Sequence, residues 1–232
     1  MSRSMSGNRK GGCAAATSGA MDVVCAVYAK KGDVAKSHEA TAAKPYRVNE
    51  IFRSVQAEGA NAGRAAVFVR FAGCNLDCRF CDTNHDPYVE MTAAKINAEV
   101  ARLTRGDRNV LVVFTGGEPT LQLREDEVLG GDNPKAIETN GIVAPPSWIG
   151  WVTVSPKTRL SPKALRRACE VKCLYGLLPD EYYLSLVGIH AALYVQPLEA
   201  NGVMNTADCM RFIGEHPQFR LSVQWHKLVN IR

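Results

Sequence analysis

Residues 73–83 read Gly73-Cys-Asn-Leu-Asp-Cys-Arg-Phe-Cys-Asp-Thr83, and their interpretation decides the fold. Cys74, Cys78 and Cys81 stand at a C-x3-C-x2-C spacing, directly after Ala66-Val-Phe-Val-Arg-Phe-Ala72, an apolar run with the composition of a buried strand. A loop leaving such a strand can fold three thiolates onto one small object. Three soft ligands are one fewer than a structural zinc site takes, and they suit a cubane 4Fe–4S cluster with one iron left open. The alternatives are buried or redox-active cysteines, or a zinc site completed by His85. Three thiols within eight residues are a poor way to fill a core.

Working outward, the 232 residues are 46% hydrophobic and 22% charged, which fits one sizeable soluble domain. No apolar run approaches the roughly 20 residues that cross a bilayer, so no membrane partner is expected. Eight cysteines, three of them clustered, do not form a secreted disulfide pattern. Thiolate ligands require a reducing compartment, and the cytoplasm is the expected one. The net charge of +5 is local: residues 1–47 carry eight Lys and Arg against three Asp and Glu, and the remainder is balanced. The basicity therefore gives no reason to expect a nucleic-acid partner. Residues 1–44 are rich in Ala, Ser, Gly and Lys, lack the apolar segment of a signal peptide, and are expected to be a disordered extension. The catalytic domain is expected over residues 45–232, with no role for Cys13 or Cys25.

Within that domain a short apolar stretch near Tyr46 leads to a polar turn with Gln56, Glu58 and Gly59. Arg70 interrupts the strand at 66–72, and a buried Arg needs a partner, either a ligand carboxylate or a neighbouring Glu. Thr92 should cap a helix running to Leu103. Further strands are expected at Asn109–Phe114, Ala136–Gly141, Trp151–Lys157, Glu170–Leu174, Ala192–Leu198 and Phe219–Trp225. Helices are expected from Ser161, with Pro162 in first position, from Asp180, and over Asn205–Glu215. Cys169 and Cys173 read as core or partly buried thiols. Gly116-Gly-Glu-Pro119, following a strand, lets backbone approach a ligand and places the Glu118 carboxylate there. Alternating strands and helices argue for parallel βαβ units. The polar signatures nearly all follow strands, where the ligand face of an α/β barrel lies. The expected fold is an α/β, open, partial parallel barrel of about six strands, in a compact variant.

The ordered motifs carry a resemblance. Cys-x3-Cys-x2-Cys followed by Gly-Gly-Glu-Pro is similar to the radical S-adenosylmethionine superfamily. The finer similarity is to its 7-carboxy-7-deazaguanine synthase family, which serves queuosine and other 7-deazapurine biosynthesis. It rests on Glu50-Ile-Phe-x-Ser-x-Gln-x-Glu-Gly59, Phe68-Val-Arg-Phe-x-Gly-Cys-Asn-Leu-x-Cys-x-x-Cys-Asp-Thr83, Thr115-Gly-Gly-Glu-Pro119, Glu138-Thr-Asn-Gly141, Ser155-Pro-Lys157, Gln196-Pro-Leu198 and Gln224-x-His-Lys227.

The resemblance implies that Cys74, Cys78 and Cys81 hold a 4Fe–4S cluster. Its open iron would chelate S-adenosylmethionine, cradled by Phe80, Cys81, Asp82, Gly117, Glu138, Ser155, Pro156, Lys157 and Gln196. It implies a lyase that converts 6-carboxy-5,6,7,8-tetrahydropterin into 7-carboxy-7-deazaguanine with loss of ammonia. Arg70 would clamp the substrate carboxylate, and Val55, Gln56, Ala57 and Glu58 would read the pterin edge. Thr115, His226 and the terminal carboxylate of Arg232 would add contacts, and Thr83 would offer a hydroxyl to Mg2+. A flavodoxin-like electron donor and a homodimer are also implied.

Ala57 departs from the pattern, where relatives carry Gly, and would cost about 1 kcal/mol if that position needed a positive φ. Two other classes share part of the signal: a superfamily activating enzyme acting on a protein glycine, and a non-enzymatic iron–sulfur or zinc module.

Overall fold

A computed structural model describes residues 44–200, 202–229 and 231. All but the last residue of the expected N-terminal extension lies outside the described residues, as do Cys13, Cys25 and Arg232.

The chain enters β1 (Tyr46–Val55), pairs back through β2 (Ala65–Phe71), and after the cysteine loop forms β3 (Val89–Met91) and α1 (Ala93–Thr104). Next come β4 (Leu111–Gly116), β5 (Lys135–Thr139), β6 (Trp151–Val154), α2 (Pro162–Arg167), β7 (Glu170–Leu174) and α3 (Asp180–Leu184). The last elements are β8 (Ala192–Gln196), β9 (Glu199–Ala200), β10 (Val203–Met204), α4 (Thr206–Glu215), β11 (Phe219–Leu221) and α5 (Trp225–Val229). Thr92 caps α1 as expected, accepting from the Lys95 amide at 3.3 Å. Ser161 stands at the start of α2 but makes no side-chain cap bond.

Among the described residues, β11-β8-β7-β6-β5-β4-β2-β1-β3 form one sheet. The seven strands from β2 to β11 run parallel, one more than the six or so expected. β1 and β3 extend the β2 edge in antiparallel pairing. Each parallel strand lies beside its predecessor in the chain, so every crossover steps the same way. Crossovers are right-handed, which puts all the connecting helices on one face. Side-chain alternation then divides each strand between two environments.

Val67, Val69, Phe71, Val112, Phe114, Ile137, Val152, Val171 and Val195 pack under the helices with Ile96, Val100, Tyr183 and Phe212. The opposite face is apolar only at the strand starts, where Phe52, Ala66, Phe68, Leu111, Val113 and Ala136 cluster. Toward the carboxyl ends the same inward columns turn polar: Phe68 gives way to Arg70, Val113 to Thr115, Ala136 to Glu138.

Two expectations at the edges are corrected. The short apolar stretch near Tyr46 is a ten-residue strand, whose register slips between Val48 and Glu50. Before the slip Tyr46 and Val48 face the helix-side core, and after it Phe52 faces the other, so the strand lacks one period-2 phase. The last strand stops at Leu221 rather than Trp225. The Trp225 amide donates to Ala57 O at 3.2 Å and Gln224 Nε2 to Glu58 Oε1 at 2.9 Å, drawing the chain off the sheet into α5.

Candidate active site

The polar carboxyl ends of the strands open into a cavity of about 570 Å³. Its walls are built from three pieces: the turn after β1, the strand ends, and the cysteine loop, with α5 across one side.

The turn places Gln56, which is buried and uses its amide twice. Its Oε1 accepts from the Ala57 and Glu58 amides at 2.8 and 3.1 Å, and its Nε2 donates to Glu138 Oε1 at 3.0 Å. Thr115 Oγ donates to the other Glu138 oxygen at 2.8 Å. Glu58 forms a buried ion pair with Lys172 and accepts from Gln224 and, at 3.4 Å, from Gln196 Nε2. Burial raises the Glu58 pKa, but the charge and hydrogen bond of Lys172, with Gln224 and His226, outweigh it and hold the carboxyl below its usual value. Ala57 is not at positive φ: among the described residues only Arg105 and glycines are. The position that needs glycine is Gly59, at φ +63°, where a Cβ would meet Glu170 Oε1 at 2.3 Å. The penalty considered for Ala57 does not arise.

Arg70 lines the cavity and has one of the two partners that the sequence allowed for it, a neighbouring Glu. Its Nε donates to Glu50 at 2.8 Å, and Nη1 reaches Thr83 Oγ at 3.4 Å. The expected ion pair with a neighbouring Glu therefore exists, while the guanidinium still faces the cavity.

Cys74, Cys78 and Cys81 are free thiols on the cavity wall, with Cys81 exposed. Burial raises the Cys78 pKa, Lys157 works against that, and Cys74 and Cys81 raise it further, so the three thiols sense one another. Lys157 donates to Ser155 O at 3.0 Å and to its hydroxyl at 2.5 Å. Burial, with repulsion from Lys172, pushes the Lys157 pKa down to about 8.

Gly116 and Gly117 let the end of β4 lie against the start of the cysteine loop. A Cβ at Gly117 would lie 2.0 Å from Gly73 O, and one at Gly116 2.1 Å from Phe71 O, so no other residue permits this approach. The carboxylate of Glu118 does not reach the cavity, contrary to the expectation that it faces a ligand. It is buried, accepting from Thr120 N and Oγ, Thr139 Oγ and Asn140 N at 2.6–3.0 Å, and ties two strand-end loops together.

The remaining expected residues Val55, Phe80, Asp82, Thr83 and His226 all line the same cavity, but Pro156 is buried and does not. Sequence reasoning missed Lys172, Asn140, Glu199 and Lys227 on the wall. Lys227 bridges Asp82 at 3.2 Å and Glu199 at 3.1 Å, tying α5 to the cysteine loop. The only signal for Lys172 was a charge inside a strand that also carries Glu170.

The donor set fits a cubane cluster. Cys74, Cys78 and Cys81 share the cavity wall, while His85, which would complete a zinc site, does not line it. A cubane spreads its thiolates over separate irons, and Lys157 supplies a cation beside Cys78 to balance an anionic centre.

The Radical SAM superfamily model matches residues 68–186. The 7-carboxy-7-deazaguanine synthase of Bacteroides thetaiotaomicron is 41% identical over 189 residues, 80% of this chain and 98% of that protein. The one from Bradyrhizobium diazoefficiens is 38% identical over 212 residues, 81% of this chain and 99% of that protein. Among solved structures, the crystal structure of QueE from Escherichia coli aligns with a TM-score of 0.61 and 26% identity, covering 77% of this chain and 93% of that one.

Proposed function

The chain belongs to the radical SAM superfamily and, within it, to the 7-carboxy-7-deazaguanine synthases, and from that premise we propose how its cavity works. It binds 6-carboxy-5,6,7,8-tetrahydropterin beside a 4Fe–4S cluster and S-adenosylmethionine, and releases 7-carboxy-7-deazaguanine and ammonia. The observation that carries this reading is the sharing of one cavity by the three-thiol loop and a wall of amide and carboxylate groups.

Cys74, Cys78 and Cys81 would hold the cluster. Phe80, Asp82, Gly117, Glu138, Ser155, Lys157 and Gln196 would line the S-adenosylmethionine subsite, with Pro156 supporting that loop from beneath. When bound, the cluster and S-adenosylmethionine together supply a carbon-centred radical able to take a hydrogen from C6 of the pterin.

The protein's own side chains bind and orient the substrate. Arg70 grips the pterin carboxylate through a planar fork of N–H donors. The Gln56–Glu58 turn and Thr115 present polar groups to the ring edge, and His226 closes over it from α5; the terminal carboxylate of Arg232 would add a further acceptor. Thr83, with Asp82 beside it at 3.5 Å, offers oxygen to a Mg2+ ion. Mg2+ takes few protein ligands and keeps water or substrate oxygens for the rest, so a preformed acidic cage is not needed. A flavodoxin-like reductant, a homodimeric assembly and a cytoplasmic location complete the proposal, and their support is family membership. No helix of the described residues is long and apolar enough to cross a membrane.

The test is anaerobic reconstitution followed by mass spectrometry of the pterin fraction. Formation of 7-carboxy-7-deazaguanine is expected. Cleavage of S-adenosylmethionine with no pterin product would point instead to an activating enzyme, and zinc at full occupancy with no cleavage to a binding module.

A further inference from the structure

Lys172 projects from β7 to the cavity wall with its side chain only 7% exposed. Three carboxylates act on it: Glu58 from the turn after β1, Glu138 from β5 and Glu170 from β7 itself. Glu58 is its ion-pair partner. Glu138 is tied to Gln56 and Thr115, and Glu170 accepts from Thr153 Oγ and the Ala60 amide at 2.8 Å. The other charged or titratable groups facing this cluster are Lys157 and His226. Glu58 is the carboxylate drawn out of water here, and without a cation beside it desolvation would favour its protonated form.

The hydrogen-bond inventory shows what the arrangement leaves for a ligand. An ionised carboxylate offers about four acceptor sites and no donor. Protein donors on Glu58 are Lys172, Gln224 and Gln196, and those on Glu138 are Gln56 and Thr115. Both acids keep spare acceptor capacity toward the cavity. A protonated Glu58 would instead point a hydroxyl donor at the ligand, the wrong polarity for an N–H group.

We propose that Lys172 is a positioning residue that keeps Glu58 an acceptor-only carboxylate, so that this wall selects a ligand edge built of N–H donors, as the aminopyrimidinone edge of a pterin is. The inference rests on the pterin reading above and adds the group that sets the polarity of the recognition.

The experiment measures calorimetric binding of 6-carboxy-tetrahydropterin to the reconstituted, S-adenosylmethionine-loaded enzyme, held without reductant so that nothing turns over. Binding is followed from mildly acidic to mildly alkaline pH in the parent enzyme and in Lys172→Met, Lys172→Gln and Lys172→Arg. Loss of the cation leaves burial to dominate Glu58, so its protonated form gains population near neutrality. With the Glu58 pKa about one unit above the assay pH, only about a tenth of the sites would hold the ionised form. Both neutral variants should therefore bind about tenfold more weakly there and should regain affinity as the pH rises. Lys172→Arg keeps the charge and should follow the parent profile. Two neutral variants are used so that either one, if folded, decides the matter. Affinity in them that tracks the parent, or a loss that pH does not change, overturns the proposal, since a purely structural lysine gives a pH-independent effect. A parent enzyme that fails to bind the pterin contradicts the substrate reading itself, and this inference with it.

Discussion

The Arg70 guanidinium gives Nε to Glu50 and one Nη1 hydrogen to Thr83 Oγ, and lies with its carbon 5.7 Å from the centre of the Phe52 ring. The ion pair fixes the side chain, and the ring supports its face, so the remaining N–H groups are held ready rather than consumed. Arg70→Ala should therefore lower kcat/KM for the carboxylated pterin about 10- to 100-fold, the equivalent of losing roughly 1.5–3 kcal/mol of charged hydrogen bonding. Most of the loss should fall on KM. A pterin without the 6-carboxylate should show almost no difference between parent and variant, and equal losses with both compounds would assign Arg70 a structural role. The signal that exposed Arg70, a charge inside a strand, was present at Lys172 too. It went unread there because Glu170-Val-Lys-Cys-Leu174 alternates charged and apolar residues as any half-solvated strand does. In the folded protein that charged face is buried, with Glu170 2% and Lys172 6% exposed. Glu118 shows the opposite error: its motif was legible, but four internal donors claim its carboxylate.

At the scale of elements, the turn after β1 resolves the question raised by Ala57. The left-handed conformation belongs to Gly59, whose missing side chain also makes room for Glu170. Gly59→Ala should destabilise the protein by about 2–3 kcal/mol, combining backbone strain with displacement of a bonded carboxylate. That corresponds to roughly 4–12 °C in Tm for a chain of this size. Ala57→Gly should cost at most about 1 kcal/mol through the freer unfolded chain. Thermal unfolding of the two variants checks the assignment, and equal losses would contradict it. The seven parallel strands were legible because both of their faces are covered at the strand starts, which leaves unbroken runs such as Val110-Leu-Val-Val-Phe114. β1 was obscure because its register slip breaks the alternation. The turn into α5 was obscure because contacts to Ala57 and Glu58, distant in sequence, end the preceding strand.

Across the whole molecule, one gradient links fold to function. Inward side chains are apolar at the strand starts and polar at their ends, so the sheet carries its own dry floor and a wet, hydrogen-bonding mouth. The cysteine loop and the glycine pair interlock at that mouth, with Glu118 N donating to Gly73 O at 2.9 Å. The central claim is that a thiolate-bound cluster and a carboxylated pterin share this one cavity. An anaerobic crystal structure of the reconstituted enzyme with S-adenosylmethionine and 6-carboxy-tetrahydropterin tests it most directly. The account predicts a four-iron cluster on Cys74, Cys78 and Cys81, with the pterin carboxylate on Arg70 and its ring against Gln56 and Glu58. A single zinc on those sulfurs, or a pterin bound outside the cavity, would contradict it.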